Sequence, residues 1–267
     1  MKNFIVALQF LTMITLSSKK FKFLSNEDLA NSMIYFPIIG LMIGSFLVII
    51  NYILSLFLPN LVVDVFLIIS LIFVTRGLHL DGFADTIDGF SSNGTKEEIL
   101  TIMSDSRIGA MGAIGIFCLL ITKLFLIYEM PIEIKNIALI IMPVLGRWVM
   151  VMAAASSNYA KENVEGLGKP FTDYVGTKEF AIATIIMVLI GWGLFSLDSR
   201  YYKGVILILI IYIINLCLLT NIKRKLNGIT GDILGALCEV TEVLVLFLIM
   251  SISAIEKSLD FQYIFMI

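Results

Sequence analysis

Three aspartates stand close together between two long apolar runs of this chain. Asp81, Asp85 and Asp88 lie at positions i, i+4 and i+7, a spacing that stacks all three on one face of a helix. Two carboxylates about 4 Å apart repel by roughly 4 kcal/mol at an effective dielectric near 20. Such a face favours a bound cation, and ligands that offer only oxygen suit Mg²⁺, with Mn²⁺ as a substitute. The spacing therefore predicts a metal site held by these three side chains.

The same residues also allow an interpretation without chemistry. Gly82 and Gly89 each follow an aspartate, and Asp-Gly pairs are common in hydrated turns. A turn, however, requires neither the helical register of the aspartates nor the apolar Phe83 and Ile87 on the remaining face. We therefore favour the metal-site hypothesis.

The composition places these aspartates in a membrane protein. The chain is 59% hydrophobic and 15% charged, with a mean hydropathy of +0.97. Apolar runs of about 20 residues are long enough to cross a bilayer as helices. We predict an all-α polytopic transmembrane bundle in one domain, 1–267, with about seven spans near 33–58, 61–78, 108–128, 136–157, 179–197, 203–222 and 233–254.

The basic residues predict the orientation of this bundle. Placing the N-terminus in the cytoplasm assigns 14 of the 19 Lys and Arg residues to the cytoplasmic side, as the positive-inside rule favours. Lys123 and Lys135 are among those assigned to the other side. Residues 1–30 are predicted to form a retained interfacial helix, and 79–107 a cytoplasmic acidic segment. The net charge of −2 gives no attraction to nucleic acid.

The second half of that cytoplasmic segment is predicted to be ordered. Ser91 to Gly94 is a turn signal, and Thr95 with Glu98 forms a capping-box pattern that starts a short amphipathic helix. This helix leads to Asp105 and Arg107. A guanidinium offers a planar fork of donors, so Arg107 is a candidate phosphate ligand. Asp105 is a candidate catalytic carboxylate beside it.

Further charges fall inside the predicted spans. Arg147 lies well within an apolar run, where a central charge costs about 3 kcal/mol on insertion scales. We expect it to pair with an acid or to line a polar cavity. Asp232 and Glu239 are seven residues apart on one face of the last span and are its expected partners, whereas Glu242 lies off this face and is left out. Lys161 falls in a polar loop and needs no partner.

Three more residues are weaker candidates for contacts to a substrate. His79 is the only histidine and could act as a base, a ligand or a helix-end cap. Gly168 and Lys169 could touch a phosphate, although their surroundings lack the strand and the Lys-Ser/Thr ending of a P-loop.

Taken together, these segments resemble the cobalamin synthase family, also called adenosylcobinamide-GDP ribazoletransferase. The most specific match is the block from Leu78 to Gly82 followed by the block from Asp105 to Gly109. A single glycine after Asp88, where many relatives have a richer run, is a mild departure. The similarity covers nearly the whole chain, in the order 35–40, 77–89, 103–110, 145–147, 166–168 and 230–239.

The resemblance implies the closing step of the nucleotide loop of coenzyme B12, in the cytoplasmic membrane of a prokaryote. A hydroxyl of α-ribazole, or of its 5′-phosphate, would attack the cobinamide-side phosphorus of adenosylcobinamide-GDP, and GMP would leave. Asp81, Asp85 and Asp88 would hold Mg²⁺, and one of them or Asp105 would take the proton. Arg107 and the residue set His79, Arg147, Gly168, Lys169, Asp232 and Glu239 would contact substrate. The implied partners are these two substrates and membrane lipid, and the chain could also form oligomers.

Two other classes of protein share some of these features. A CDP-alcohol phosphotransferase also uses aspartates on membrane helices, but its pattern has arginine where this chain has Asp85. A cation-coupled transporter would explain the spans, but it usually keeps its ion site near the midplane within inverted repeats. Here the acids lie at the membrane boundary and no repeat is evident.

Overall fold

The computed structural model describes residues 2–15, 25–161, 166, 168–195 and 202–264. These residues form helices, and β pairing among them is limited to one bridge between Tyr159 and Ile229. The helices are α1 (Lys2–Leu11), α2 (Asn26–Ser32), α3 (Phe36–Leu54), α4 (Asn60–Thr75), α5 (Leu78–Ser91), α6 (Lys96–Ile102), α7 (Ala110–Tyr128), α8 (Ile132–Ala155), α9 (Lys169–Tyr174), α10 (Thr177–Phe195), α11 (Tyr202–Leu226) and α12 (Gly231–Ile264).

The predicted transmembrane bundle is confirmed. Among the described residues, six helical segments are long and apolar enough to cross a membrane, and α4 with α5 makes a seventh if this pair, bent by 91°, is one broken span. α2 continues through a short 3₁₀ turn into α3, so that the first span begins at Asn26. The prediction of one interfacial helix over 1–30 is therefore wrong for the described residues, which contain α1 and the start of a span. Residues 16–24 of that predicted helix lie outside the described part.

α8 is the central helix of the bundle. In its apolar window 89% of the residues are buried, and it packs against α3 on one side and α12 on another. The approach to α3 is close because Gly40 has no side chain; a Cβ there would lie 2.5 Å from the Pro143 carbonyl oxygen. Such contacts between small residues and backbone are a usual means of packing helices in membranes.

Polar contacts fix one end of α8. Lys135 Nζ lies 2.6 Å from Asp64 Oδ1 on α4, and Asn51 on α3 donates to Asn136 at 3.2 Å. Both members of the ion pair are buried. Lys135, which the count of basic residues assigns to the outer side, therefore lies on α8 and not in a loop, and its side chain neutralises a buried carboxylate.

The break between α4 and α5 orients the acidic helix. Arg76 and Gly77 both adopt left-handed backbone conformations, with φ of 57° and 64°. The Arg76 guanidinium donates to the carbonyl oxygens of Gln9 and Phe10 at 3.1 and 3.3 Å. The end of α1 is thereby docked at the bend, and α5 leaves nearly at right angles to α4.

The local predictions for 79–107 are confirmed in their main points. The aspartates lie on a regular helix, α5, and not on a loop. Asn93 takes a left-handed conformation in the turn that follows. The capping box forms at the start of α6, where Thr95 N donates to Glu98 Oε2 at 2.8 Å and Glu98 N to Thr95 Oγ1 at 3.3 Å.

Candidate functional site

A small cavity lies where the first turns of α5 and α12 meet. Its volume is about 150 Å³, which is room for roughly five water molecules. This space suits one phosphate-sized group and not a whole nucleotide. The cavity is lined by Phe10, Phe36, Leu78, His79, Asp81, Gly82, Met150, Gly168, Phe171, Gly231, Asp232, Leu234 and Gly235.

Two glycines allow α5 and α12 to approach closely at this point. A Cβ on Gly82 would lie 2.7 Å from the Asp232 carbonyl oxygen, and a Cβ on Gly235 would lie 3.2 Å from the His79 Cα atom. Any side chain at Gly82 would push the two backbones apart. The small residues thus bring carboxylates from both helices to the same place.

The resulting acidic cluster contains four aspartates. Asp85 is half-buried on α5 and lies within electrostatic range of Asp81, Asp88 and Asp232. The structure therefore confirms that the three α5 aspartates share a neighbourhood and adds Asp232 from α12 to it. Sequence spacing had grouped Asp232 with Glu239 instead.

Asp88 has a structural task within this cluster. Its two carboxylate oxygens accept hydrogen bonds from the backbone N–H groups of Gly109 and Gly112, both at 2.7 Å. These donors belong to the start of α7, where N–H groups have no partner within the helix and a negative charge is stabilising. Asp88 therefore caps α7 and holds it against α5.

The donor set fits a magnesium ion that binds together with a substrate. Within the described ranges, no three Asp, Glu, His or Cys side chains are arranged to ligate one ion unaided. Mg²⁺ does not require this, since it commonly keeps several waters and takes one or two carboxylates plus substrate phosphate oxygens. Asp81 is exposed and Asp85 and Asp232 are half-buried beside it, so these carboxylates offer oxygen donors of the required kind.

A lysine stands beside the acidic cluster. Lys161 lies within electrostatic range of both Asp85 and Asp232, and its Nζ atom donates to Ser104 Oγ at 2.8 Å. It also lines a second cavity of about 510 Å³ between α6 and the segment that follows α8. Lys161 lies in a loop, as predicted, but its side chain has contacts that the sequence did not indicate.

Asp105 and Arg107 form a separate surface pair. Their closest approach is 2.6 Å, with 86% of the Arg107 side chain exposed. The guanidinium holds the pKa of Asp105 at about 2, which makes this carboxylate a weak proton acceptor near neutral pH. Neither residue lines the cavity at α5 and α12, so the structure does not bring the predicted phosphate ligand Arg107 to that site.

Below the cavity, four charged side chains form a buried network. Arg147 is fully buried and forms an ion pair with Glu242. Lys123 Nζ lies 2.6 Å from Glu242 Oε2 and 2.8 Å from Glu239 Oε2. Two cations and two carboxylates thus neutralise each other inside the bundle.

This network corrects three predictions. Arg147 does pair with an acid of the last span, but the acid is Glu242, which helical spacing had left out, and not Asp232. Glu239 instead pairs with Lys123, which is buried inside the bundle. The seven-residue spacing from Asp232 to Glu239 identifies one face of α12. Further along the helix, where α12 packs against α7 and α8, Glu242 on another face also contributes to the network.

The remaining candidates divide between the cavity and its surroundings. His79 and Gly168 line the cavity, whereas Lys169 begins α9 and is not part of the lining. Three phenylalanines that sequence reasoning did not select form its aromatic wall. Phe10 and Phe171 have ring centroids 5.0 Å apart, and Phe36 lies 6.2 Å from each. No local signal distinguishes them from ordinary core residues.

The fold and the site define a class: an all-helical membrane protein with a carboxylate-rich cavity where two of its helices begin. The chain belongs to the cobalamin-5-phosphate synthase family, which it matches over residues 3–250.

Curated relatives agree with this assignment, and each is named adenosylcobinamide-GDP ribazoletransferase. The protein of Acetivibrio thermocellus is 38% identical over 224 residues, covering 84% of this chain and 88% of the relative. Those of Fusobacterium nucleatum and Geotalea daltonii are each 35% identical and cover 94% of this chain and 98% of the relative. No solved structure matches the chain. The relatives are transferases, and their names support neither a CDP-alcohol phosphotransferase nor a transporter.

Proposed function

We propose that this protein joins adenosylcobinamide-GDP to α-ribazole, or to α-ribazole 5′-phosphate, and releases GMP. The product is adenosylcobalamin or its 5′-phosphate. The observation that carries the proposal is the family match over residues 3–250, which includes the acidic helix and the start of α12. A site rich in carboxylates beside a lysine suits transfer from a pyrophosphate, because that reaction depends on positioning and charge neutralisation.

The bond changes of this reaction balance without a redox partner. The acceptor hydroxyl oxygen forms a bond to the cobinamide-side phosphorus, and the bond from that phosphorus to the bridging oxygen breaks. The electron pair leaves with GMP. Asp85 is our candidate for the proton acceptor, because it is half-buried in the cluster and is not among the aspartates that cap a helix.

Mg²⁺ is part of this proposal, with Asp81, Asp85 and Asp88 as the carboxylates on its side of α5. Asp232 adds a fourth carboxylate. Asp88 would contribute less to the ion than the others, because both of its oxygens already accept hydrogen bonds from the start of α7. When bound, the ion would supply positive charge against the pyrophosphate and the departing phosphate. Lys161 would contribute positive charge beside Asp85 and Asp232.

We further propose that the site faces the cytoplasm of a prokaryotic cell, with the N-terminus inside. The support is the positive-inside count, which becomes sharper because Lys123 and Lys135 are buried in ion pairs and no longer count as outer loop charges. Reporter fusions at Gly94 and Pro131 test this orientation. Gly94 should report the cytoplasm and Pro131 the opposite side; the reverse result would overturn it.

The decisive assay follows GMP release by the lipid-reconstituted protein. Adenosylcobinamide-GDP with α-ribazole or its 5′-phosphate should give one GMP per corrinoid product in Mg²⁺, and EDTA should abolish turnover without lowering the melting temperature. Mn²⁺ should restore activity. Absence of GMP from folded protein in Mg²⁺ would refute the reaction, and full turnover in EDTA would refute the metal dependence alone.

A further inference from the structure

His79 connects the cavity to the buried charge network. It is 2% exposed and stands one residue into α5. Its Nδ1 atom lies 3.3 Å from the Arg147 guanidinium and 3.7 Å from Cys238 Sγ. The same residue lines the cavity that contains Asp81 and Asp232. No other cavity-lining residue contacts Arg147 among the described hydrogen bonds.

The contact with Arg147 determines where the imidazole carries its proton. A guanidinium has only donors, so the Nδ1 atom that faces it must accept. A hydrogen on Nδ1 would point a second donor at a positive group. The neutral ring therefore carries its single hydrogen on Nε2.

Arg147 is held in place for this contact. Its other hydrogen bond runs to Glu242, which also binds Lys123 at 2.6 Å. The fully buried guanidinium is thus held between a carboxylate and the imidazole. The network beneath the cavity orients His79.

The Nε2–H group that results has no hydrogen-bond partner within the described part of the chain, although it is buried. Buried donors are nearly always paired in native proteins, so an unpaired one calls for an explanation. His79 is also one of the residues that line the cavity, which has space for one phosphate-sized group.

We propose that the Nε2–H group of His79 donates a hydrogen bond to a phosphate oxygen of the bound substrate, and that Arg147 is the positioning residue that fixes the required tautomer. This inference rests on the proposed function for the identity of the phosphate. It assigns to the buried network a role in binding, transmitted through one imidazole.

Two amide substitutions separate the two nitrogens of His79. In His79→Asn the amide oxygen can replace Nδ1 as acceptor from Arg147, but no donor reaches the Nε2 position. In His79→Gln the longer side chain can place its NH₂ group near the Nε2 position. If His79 acts only by accepting from Arg147, His79→Asn should be the more active variant. If His79 donates to substrate, His79→Gln should be the more active one.

We expect His79→Asn to keep its melting temperature and lose about 100-fold in kcat/KM, the usual effect of removing one donor to a reacting oxyanion. His79→Gln should retain at least tenfold more activity than His79→Asn. Asparagine performing as well as glutamine, or both matching wild type, would overturn the proposal.

A binding measurement separates this proposal from the proposed reaction. Inorganic pyrophosphate with Mg²⁺ should raise the melting temperature of wild type and of His79→Gln, and raise that of His79→Asn less. Equal shifts in all three proteins would contradict donation by Nε2. Failure of wild type to release GMP would refute the reaction, while the pyrophosphate shifts would still decide the role of His79.

Discussion

The acidic cluster and the buried network both gather charges, but they balance them differently. Around Asp85, the described neighbours include Asp81, Asp88 and Asp232 against Lys161. In the network, Glu239 and Glu242 meet Lys123 and Arg147 at hydrogen-bonding distance. The first group carries excess negative charge and is partly open to solvent, whereas the second is neutral as a whole and closed.

This difference indicates what each group does. Buried charges must be paired, since an isolated ion in a low dielectric is very costly. The network meets that requirement within the protein and therefore needs no charge from outside the chain. The acidic cluster does not meet it, and the charge that would complete it must come from outside the chain. Unequal charge at the edge of the bundle is therefore the stronger sign of a binding site.

Removing a charge from the balanced network should have the largest effect. Glu242→Gln takes one carboxylate from both Lys123 and Arg147, and breaking a buried ion pair costs about 3–5 kcal/mol. We expect little folded protein, measured by size exclusion and thermal melting in detergent. Glu239→Gln is the matched control, because Lys123 keeps Glu242 as a partner. Equal stability of the two variants would contradict the shared role of Glu242.

Removing a charge from the unbalanced cluster should act on turnover instead. Asp85→Asn relieves repulsion from neighbouring carboxylates, so the melting temperature should stay the same or rise. Activity should fall by about 100-fold or more, as expected for a general base. Asp81→Asn should behave similarly. A large loss of stability in Asp85→Asn would place this residue with the network and remove the contrast.

Asp88→Asn sharpens the comparison, because Asp88 belongs to the acidic cluster and also caps α7. An amide retains one acceptor oxygen but replaces the other by a donor that would face a backbone N–H group. We expect a loss of stability of about 1 kcal/mol, the scale of a helix cap, together with a loss of activity. Thermal melting and the GMP assay measure the two effects separately. Unchanged stability would show that the caps on α7 are dispensable.

Lys161→Met tests the positive side of the acidic cluster. Its loss leaves Asp85 and Asp232 with more unrelieved repulsion and removes a candidate phosphate contact. A decrease of about tenfold in kcat/KM is expected, on the scale of one hydrogen bond to a charged group. Lys178→Met is the control, since Lys178 is exposed on α10. Equal activity of both variants would return Lys161 to the role of a loop residue.

The smallest effect is expected at the surface pair. With its pKa at about 2, Asp105 stays ionised throughout any assay above pH 4 and contributes no step to the pH profile. Asp105→Asn should change the rate by less than about twofold, as is usual for an exposed pair. A pH–rate profile of wild type and variant measures this. A tenfold loss would assign Asp105 a catalytic role after all.

Much of the local structure follows from the sequence. The helical register of the three α5 aspartates, the turn before α6 and the capping box at Thr95 depend on residues three to seven positions apart. Such neighbours are fixed by the helix itself. The apolar runs likewise determine that the chain forms a bundle of membrane helices, because a helix satisfies the backbone groups of a 20-residue apolar segment within that segment.

What only the tertiary structure decided is which distant groups meet. Spacing along α12 places Asp232 and Glu239 on one face, yet the first belongs to the cavity and the second to the network. The pairing of Arg147 with Glu242, and the tautomer of His79 that follows from it, depends on the depth and rotation at which α12 packs against α5, α7 and α8. Those quantities are set by close contacts such as Gly82 against Asp232. Helical periodicity describes one helix at a time and therefore cannot supply them.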